Sequence, residues 1–557
     1  IHGTCWFDDI SICEKGTTEN LLPQGDFEGD AWKGHVHVAE YTRDGKPNRA
    51  CRLSGTREEV GRQAGLWVTS DSVPVKPATR YVVRLRAKGE RIVSQGGVSR
   101  ASLVVDVGQP KEEQLVLYSH YESGEGHLVE AEQATPVNLL PAMKGRAPKQ
   151  VPIIVCYASE AYENQEVVAA NAEMVIGAGI NWLWGPNESE IARRVRPHGV
   201  KFVWHIPRDG YSQEPVDPEY LRRHPEHAAV QRNGVRSTRQ ICPTILLDTP
   251  NEFVPKLSAW LTQRLRENPY EMVDWDHEFP LTRNDSVCLC ERCRKAFAAE
   301  AGLPAVPSLK EVFEQHEDAW VNFRCGQNAR MARVIRDAVK AANPEIPFSV
   351  YSGYESARTR STYGVDWAKM RDAIDWGIAG YNGARGTIRG TMDALGKVPF
   401  TTGCMYAEQR FRAEYPYPTP SSWRIRLMRA VLDCDGMGFL VWYLPVLDGG
   451  GYWGISWVSA LVADYERFFT RFDRRDDLAT VEPTMDESTF AVLTHGQERL
   501  ILLMNPGGSP QKVTLALREV PAGSRLVEYE TGRQHDPRKP VALELAPGEI
   551  KALHLGK

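Results

Sequence analysis

Between about residue 151 and residue 480 the chain alternates short apolar runs with amphipathic stretches, and this alternation constrains the fold more than any other feature. The apolar runs are Ile153–Tyr157, Asn181–Trp184, Lys201–His205, Met272–Glu278, Phe348–Tyr351, Trp376–Tyr381, Phe400–Met405 and Gly438–Trp442. Helical periodicity marks Val167–Ile176, Phe253–Arg266, Val321–Ala341 and Ser422–Leu432 between them. Parallel strands need a crossover, usually a helix, so the pattern signifies a parallel sheet. Eight such units over about 330 residues predict a closed (β/α)8 TIM barrel with insertions. A doubly wound open sheet is the alternative; against it, no Gly-rich phosphate loop follows any of the strands.

The flanks read differently. Residues 1–150 carry short strands separated by turn residues, among them Gly65–Val68, Tyr81–Arg86 and Ala101–Val107. Trp6–Ile12 resembles the last strand of a carbohydrate-binding β-sandwich module, and Asn20–Glu28 resembles the first. Residues 483–557 return to strands at Thr489–Leu493, Leu500–Met504, Lys512–Leu517 and Ile550–Leu555. The expected architecture is therefore multidomain α/β plus all-β. A jelly-roll-like N-terminal β-sandwich (1–150) precedes the catalytic barrel (151–480), and a small C-terminal antiparallel β-sandwich (483–557) follows.

Composition narrows the partners. A net charge of -5 over 557 residues gives no reason to expect nucleic acid or an anionic membrane. No apolar run reaches the roughly 18 residues that span a bilayer. Fifteen Trp and twenty Tyr suit a carbohydrate partner, because flat amphipathic rings stack on sugar faces. No secretory leader is visible, and Ile1–Ile10 already reads as the middle of a strand. A secreted or periplasmic setting is favoured. The 11 cysteines leave the redox compartment open, and homo-oligomerisation is equally open.

The fourth strand candidate carries the chemistry. Along Val273–Pro280, side chains alternate between faces, so Asp274, Asp276 and Glu278 share one side and Val273, Trp275 and His277 the other. Like charges stacked on one face destabilise a sheet, and such a cluster points to a working site. Barrel enzymes place their sites at the C-terminal ends of the strands. That rule selects Asp274, Asp276, His277 and Glu278 on strand four and Tyr381 and Asn382 on strand six. It adds Tyr406, Glu408 and Gln409 on strand seven, and Trp442 and Tyr443 on strand eight. Two carboxyl groups and an aromatic floor are what glycoside hydrolysis needs. Arg239 is a candidate hydroxyl donor, and His224 is either a sugar ligand or a loop residue. Gly449–Trp453 reads as a mobile loop with aromatic contacts or as a turn with core aromatics. Cys288, Cys290 and Cys293 look like most of a metal site, with free thiols or one disulfide as the alternatives.

Residues 223–297 resemble glycoside hydrolase family 42, the clan A β-galactosidases. The shared features are Arg223-His224-Pro225-Glu226, Asn233-Gly234, Cys242-Pro243, Glu278 and Cys288-Leu289-Cys290-Glu291-Arg292-Cys293. The resemblance implies Glu278 as general acid/base and Glu408 as nucleophile of a retaining hydrolysis. It also implies a structural Zn2+ held by Cys242, Cys288, Cys290 and Cys293, with no organic cofactor. The family has Asn where this chain has His277, and it lacks the Asp274/Asp276 ladder. That ladder is similar to the fourth-strand motif of glycoside hydrolase family 18. There the inner Asp, here Asp276, stabilises an oxazolinium formed from the substrate's own N-acetyl group. Tyr381 would assist, and Glu408 would only bind. The expected function is cleavage of a β-linked oligo- or polysaccharide by two carboxylates, with β-galactosidase-like specificity as one form. The alternatives are a family-18-like hexosaminidase, a catalytically silent carbohydrate-binding protein, and a metal-dependent lyase or amidohydrolase. The last lacks the His-x-His it would need on strand one.

Overall fold

A computed structural model describes residues 2–29, 32–34, 37–43, 46–55, 68–69, 81–93, 111–122, 128–140, 142–157, 165–206, 211–278, 288–406, 419–442, 444 and 447–557. Its centre is a closed barrel of eight parallel strands. They are β1 (Ile153–Cys156), β2 (Trp182–Trp184), β3 (Lys201–Ile206), β4 (Met272–Asp276), β5 (Phe348–Ser352), β6 (Trp376–Ala379), β7 (Phe400–Met405) and β8 (Phe439–Trp442). Each pairs in parallel with the next, and β8 closes onto β1 through Leu440 beside Ile154. The eight expected strands are these eight, with ends shifted by a residue or two. The largest consequence is at β4, which stops at Asp276, so Glu278 stands on the segment leaving the strand.

A parallel strand with both faces covered is apolar on both, which is why Ile153–Cys156 is buried throughout. Side-chain parity then divides two cores. Ile154, Cys156, Val203, Met272, Tyr351 and Leu440 fill the barrel interior. Val273, Trp275, Phe202 and Val441 face outward and pack under the helices. Those helices include α1 (Gln165–Gly177), α2 (Phe253–Glu267), α3 (Glu291–Glu300), α4 (Glu317–Ala342), α5 (Pro420–Asp433) and α6 (Gly449–Asp464). The expected loop at Gly449–Trp453 is the first turn of α6. Asp448 caps it, its Oδ1 accepting from Gly451 N at 2.9 Å and also from the Tyr406 hydroxyl.

On the N-terminal side, His2–Glu14 lies inside a six-stranded sheet between Lys46–Gly55 and Tyr81–Val93. Trp6–Ile12 is therefore strand, as expected. Asn20–Glu28 is not: it turns back on that strand, Asn20 Oδ1 accepting from Ile12 N at 2.8 Å and Leu22 N at 3.0 Å. An Asx side chain that caps backbone donors offers an alternative to a ladder. Gly65–Trp67 and Ala101–Val107 lie outside the described residues.

At the other end, a three-stranded and a five-stranded sheet face each other across Val492, Ile501, Leu503, Val513 and Leu543. The opposite face of the five-stranded sheet, including Leu493, Leu500, Leu502 and Ala552, joins the barrel's outer core. No helix among the described residues is long and apolar enough to cross a membrane.

Candidate active site

The C-terminal mouth of the barrel gathers the acidic residues of β4 with an arc of aromatic rings. Asp274 is fully buried and Asp276 nearly so, both on the inward parity of Met272. Ser349 on β5 donates to Asp274 Oδ1 at 2.5 Å, while Asp274 Oδ2 is buried with no hydrogen-bond partner among the described residues. Burial pushes the Asp274 carboxyl far above the usual carboxylate range, and the charge of Asp276 adds to this; the Ser349 bond opposes it. Burial thus favours the protonated form of Asp274.

Glu278, half-buried two residues past β4, stays within electrostatic reach of the same space. Its charge and that of Asp276 both raise the hydroxyl pKa of Tyr351 and Tyr381 and the thiol pKa of Cys156, after burial as the main cause. The rings run around the wall: Trp184 to Tyr351 at 5.4 Å, Tyr351 to Tyr381 at 5.7 Å, Tyr381 to Trp442 at 6.2 Å. His205 stands beside Trp184 at 5.7 Å, on the inward parity of Val203. Acidic groups, phenols and flat rings around one opening can bind a polyhydroxylated ring and deliver a proton to it.

His277 is a correction, while Arg239, Asn382 and Tyr406 have structural partners of their own. His277 is fully buried on the outward side of β4, its ring 4.3 Å from that of Trp275, and burial takes its pKa down to about 4. It is a neutral core histidine against the helix layer, because its parity is that of Val273 and Trp275. Arg239 is exposed and ion-paired with Glu214 at 3.3 Å, on a hairpin in the excursion after β3. Asn382 brackets Met405 of β7, its Oδ1 accepting from Met405 N at 3.1 Å and its Nδ2 reaching Met405 O at 3.5 Å. Tyr406 is buried and holds the α6 cap. Glu408, Gln409 and Tyr443 lie outside the described residues. The residues that motif reading passed over are Cys156, Trp184, His205 and Tyr351. Inward parity at the strand ends is the sequence signal that marks them.

The second cluster lies on the excursions after β3 and β4. Cys242 Sγ is 3.4 Å from Cys293 Sγ and 3.6 Å from Cys290 Sγ, and all four sulfurs including Cys288 lie within 4.8 Å of one another. Tetrahedral zinc with bonds of about 2.3 Å holds its thiolates about 3.8 Å apart, so the cluster fits such an ion. Cys290 caps α3, and Val230 N donates to Cys288 Sγ at 3.4 Å. The buried Arg324 guanidinium sits over Trp320 and donates to the Cys288 carbonyl. Its charge helps hold the Cys293 thiol below the usual range, after the hydrogen bonds from the other three thiols. The four cysteines can hold a metal ion. Their spacing leaves no open position, so an ion there would tie loops and do no chemistry.

No protein-family model and no curated protein matches the chain. Solved structures similar to it include a β-galactosidase of the Antarctic haloarchaeon Halorubrum lacusprofundi, at 13% identity and TM-score 0.41, covering 56% of this chain and 57% of that one. A β-galactosidase of the psychrophilic Marinomonas ef1 is 12% identical with TM-score 0.41, covering 57% and 60%. A cold-adapted β-galactosidase of Rahnella sp. R3 is 10% identical with TM-score 0.49, covering 74% and 99%. The chain thus spans about three fifths of the length of the first two.

Proposed function

We propose that the chain is a glycoside hydrolase whose proton donor is Glu278. The observation that carries this is the geometry of the barrel mouth: Asp276 ends β4 on its inward face, Glu278 follows two residues on, and the rings of Tyr351, Tyr381 and Trp442 stand along the same wall. Glu278 protonates the glycosidic oxygen as the bond breaks, and Trp442 is the platform for the sugar ring. In the retaining form, Glu408 attacks the anomeric carbon from the other face, and water then releases the sugar with Glu278 as base. The substrate is a β-linked saccharide, a β-galactoside among the first to try. The four cysteines hold structural Zn2+.

A second reading is supported by the buried, Ser349-bonded Asp274 two residues before Asp276 on the same inward face. Asp276 is then the inward-facing carboxyl two residues before Glu278 in the chain. The N-acetyl carbonyl oxygen of the substrate attacks the anomeric carbon, the leaving oxygen takes the Glu278 proton, and Asp276 with Tyr381 steadies the oxazolinium until water opens it.

Glu278→Gln tests the proposal on a panel of aryl β-glycosides. A loss of about 10²–10⁴-fold is expected from removing a general acid. Wild-type hydrolysis by the variant would sink it, and saccharide binding without any turnover by wild type would mark a binding protein. Glu408→Gln against Asp276→Asn then separates the two routes: only the second requires an N-acetyl substrate.

A further inference from the structure

The segment that leads into the cysteine cluster carries a second group of metal-ligating side chains. His224, Glu226 and His227 each offer one donor atom, all within 4.8 Å of one another. His224 Nδ1 lies 3.6 Å from Glu226 Oε1, and His227 Nε2 lies 3.4 Å from the same oxygen. Nitrogen and oxygen ligands of a tetrahedral ion stand about 3.3–3.5 Å apart, given bonds near 2.0–2.2 Å. Two of the three separations are thus already close to those of a tetrahedral site, and the third lies within 4.8 Å.

The other ring nitrogens supply an independent reason. His227 Nδ1 is hydrogen-bonded to the buried Tyr220 hydroxyl at 2.8 Å, which leaves Nε2 facing Glu226. His224 Nε2 lies 3.5 Å from Glu252 Oε1, which leaves Nδ1 facing Glu226. Metal-bound imidazoles use their second nitrogen in this way, to fix the ring and its tautomer. The two rings also stack nearly parallel, 11° apart with centroids 5.1 Å from each other. Opposing entry are Arg223 and Lys256, which share Glu252 at 3.1 Å each, and Arg292, which donates to the Glu226 carbonyl. Glu226 itself is half-exposed, so the fourth position faces solvent.

We propose that His224, Glu226 and His227 bind a divalent transition-metal ion of the zinc class in a solvent-open site distinct from the four cysteines. Two imidazoles and one carboxylate favour zinc, cobalt or nickel over calcium or magnesium. Cys242 N donates to His227 O at 2.8 Å, so this ion would fasten the same excursion one hydrogen bond away from the thiols.

Zinc titration of the full chain with metal counting after gel filtration tests this. Wild type is expected to retain one equivalent more than His227→Ala, whatever the cysteines hold. Glu226→Ala, a half-exposed substitution with little reason to disturb folding, is expected to lose the same equivalent. Tyr220→Phe keeps all three ligands and should weaken that equivalent about tenfold. With cobalt, the wild-type minus His227→Ala spectrum should show weak visible bands and no thiolate charge transfer. Equal zinc in wild type and both ligand variants, or thiolate absorption in that difference, would overturn the site.

Discussion

Asp274 is the residue whose state is most sharply fixed by its surroundings. Its folded-state pKa is raised above the unfolded value, chiefly by burial. Its contribution to stability is therefore fully present below about pH 4, the unfolded range, and declines as pH rises from there toward the folded pKa. Asp274→Asn keeps an acceptor for Ser349 and removes that cost. Melting temperatures from pH 4 to pH 8 should fall less for Asp274→Asn than for wild type; parallel curves would show that Asp274 is not held neutral. Ser349→Ala should cost about 1–3 kcal/mol, measurable by urea unfolding, because it strips a buried carboxyl of its donor. At this scale the sequence was partly legible. Alternation along β4 already grouped His277 with Val273 and Trp275, and the buried ring confirms the parity rather than the site role. His205 and Trp184 were missed because a single polar or aromatic residue in an apolar strand looks like core until the barrel gives it an inside.

Elements were more readable than residues. The strands are legible because parallel strands covered on both faces are nearly continuously apolar, with Asp274 and Asp276 of β4 as the marked exceptions. Asn20–Glu28 resembles the opening strand of a sandwich module, yet Asn20 caps backbone donors locally and Phe27 is buried at a left-handed φ of 56°, so the segment turns instead. The cysteine spacing was legible as a motif, but the partnership of Cys242 with α3 needed the fold to bring two excursions together. If the cluster holds zinc, chelation should lower the melting temperature and expose the 224–293 stretch to protease. Cys293→Ser should do the same, and insensitivity to both would argue against a structural ion.

At the scale of the whole molecule, the C-terminal five-stranded sheet buries both faces, one in its own sandwich and one against the barrel. Arg424 reinforces the seam, stacked over Trp453 at 5.2 Å and Trp457 at 4.7 Å and bonded to Gly548 O at 3.1 Å. The continuously apolar runs Phe490–Leu493 and Leu500–Met504 signal strands buried on both faces, but the sequence does not say that the barrel covers the second face. Leu502→Ala should destabilise by about 2–5 kcal/mol and shift the one unfolding transition that barrel and sheet share. Two separate transitions in calorimetry would contradict the shared core.

Four thiols within 4.8 Å of one another are also an oxidisable unit. A two-electron oxidant that joined Cys242 to Cys293, now 3.4 Å apart, would remove two ligands at once and release whatever ion they hold. The cluster would then behave as a fuse: intact in reducing surroundings, or shielded by its ion in oxidising ones, and open once peroxide outpaces that shielding. The compartment in which the protein works would be written in the chemistry of these sulfurs.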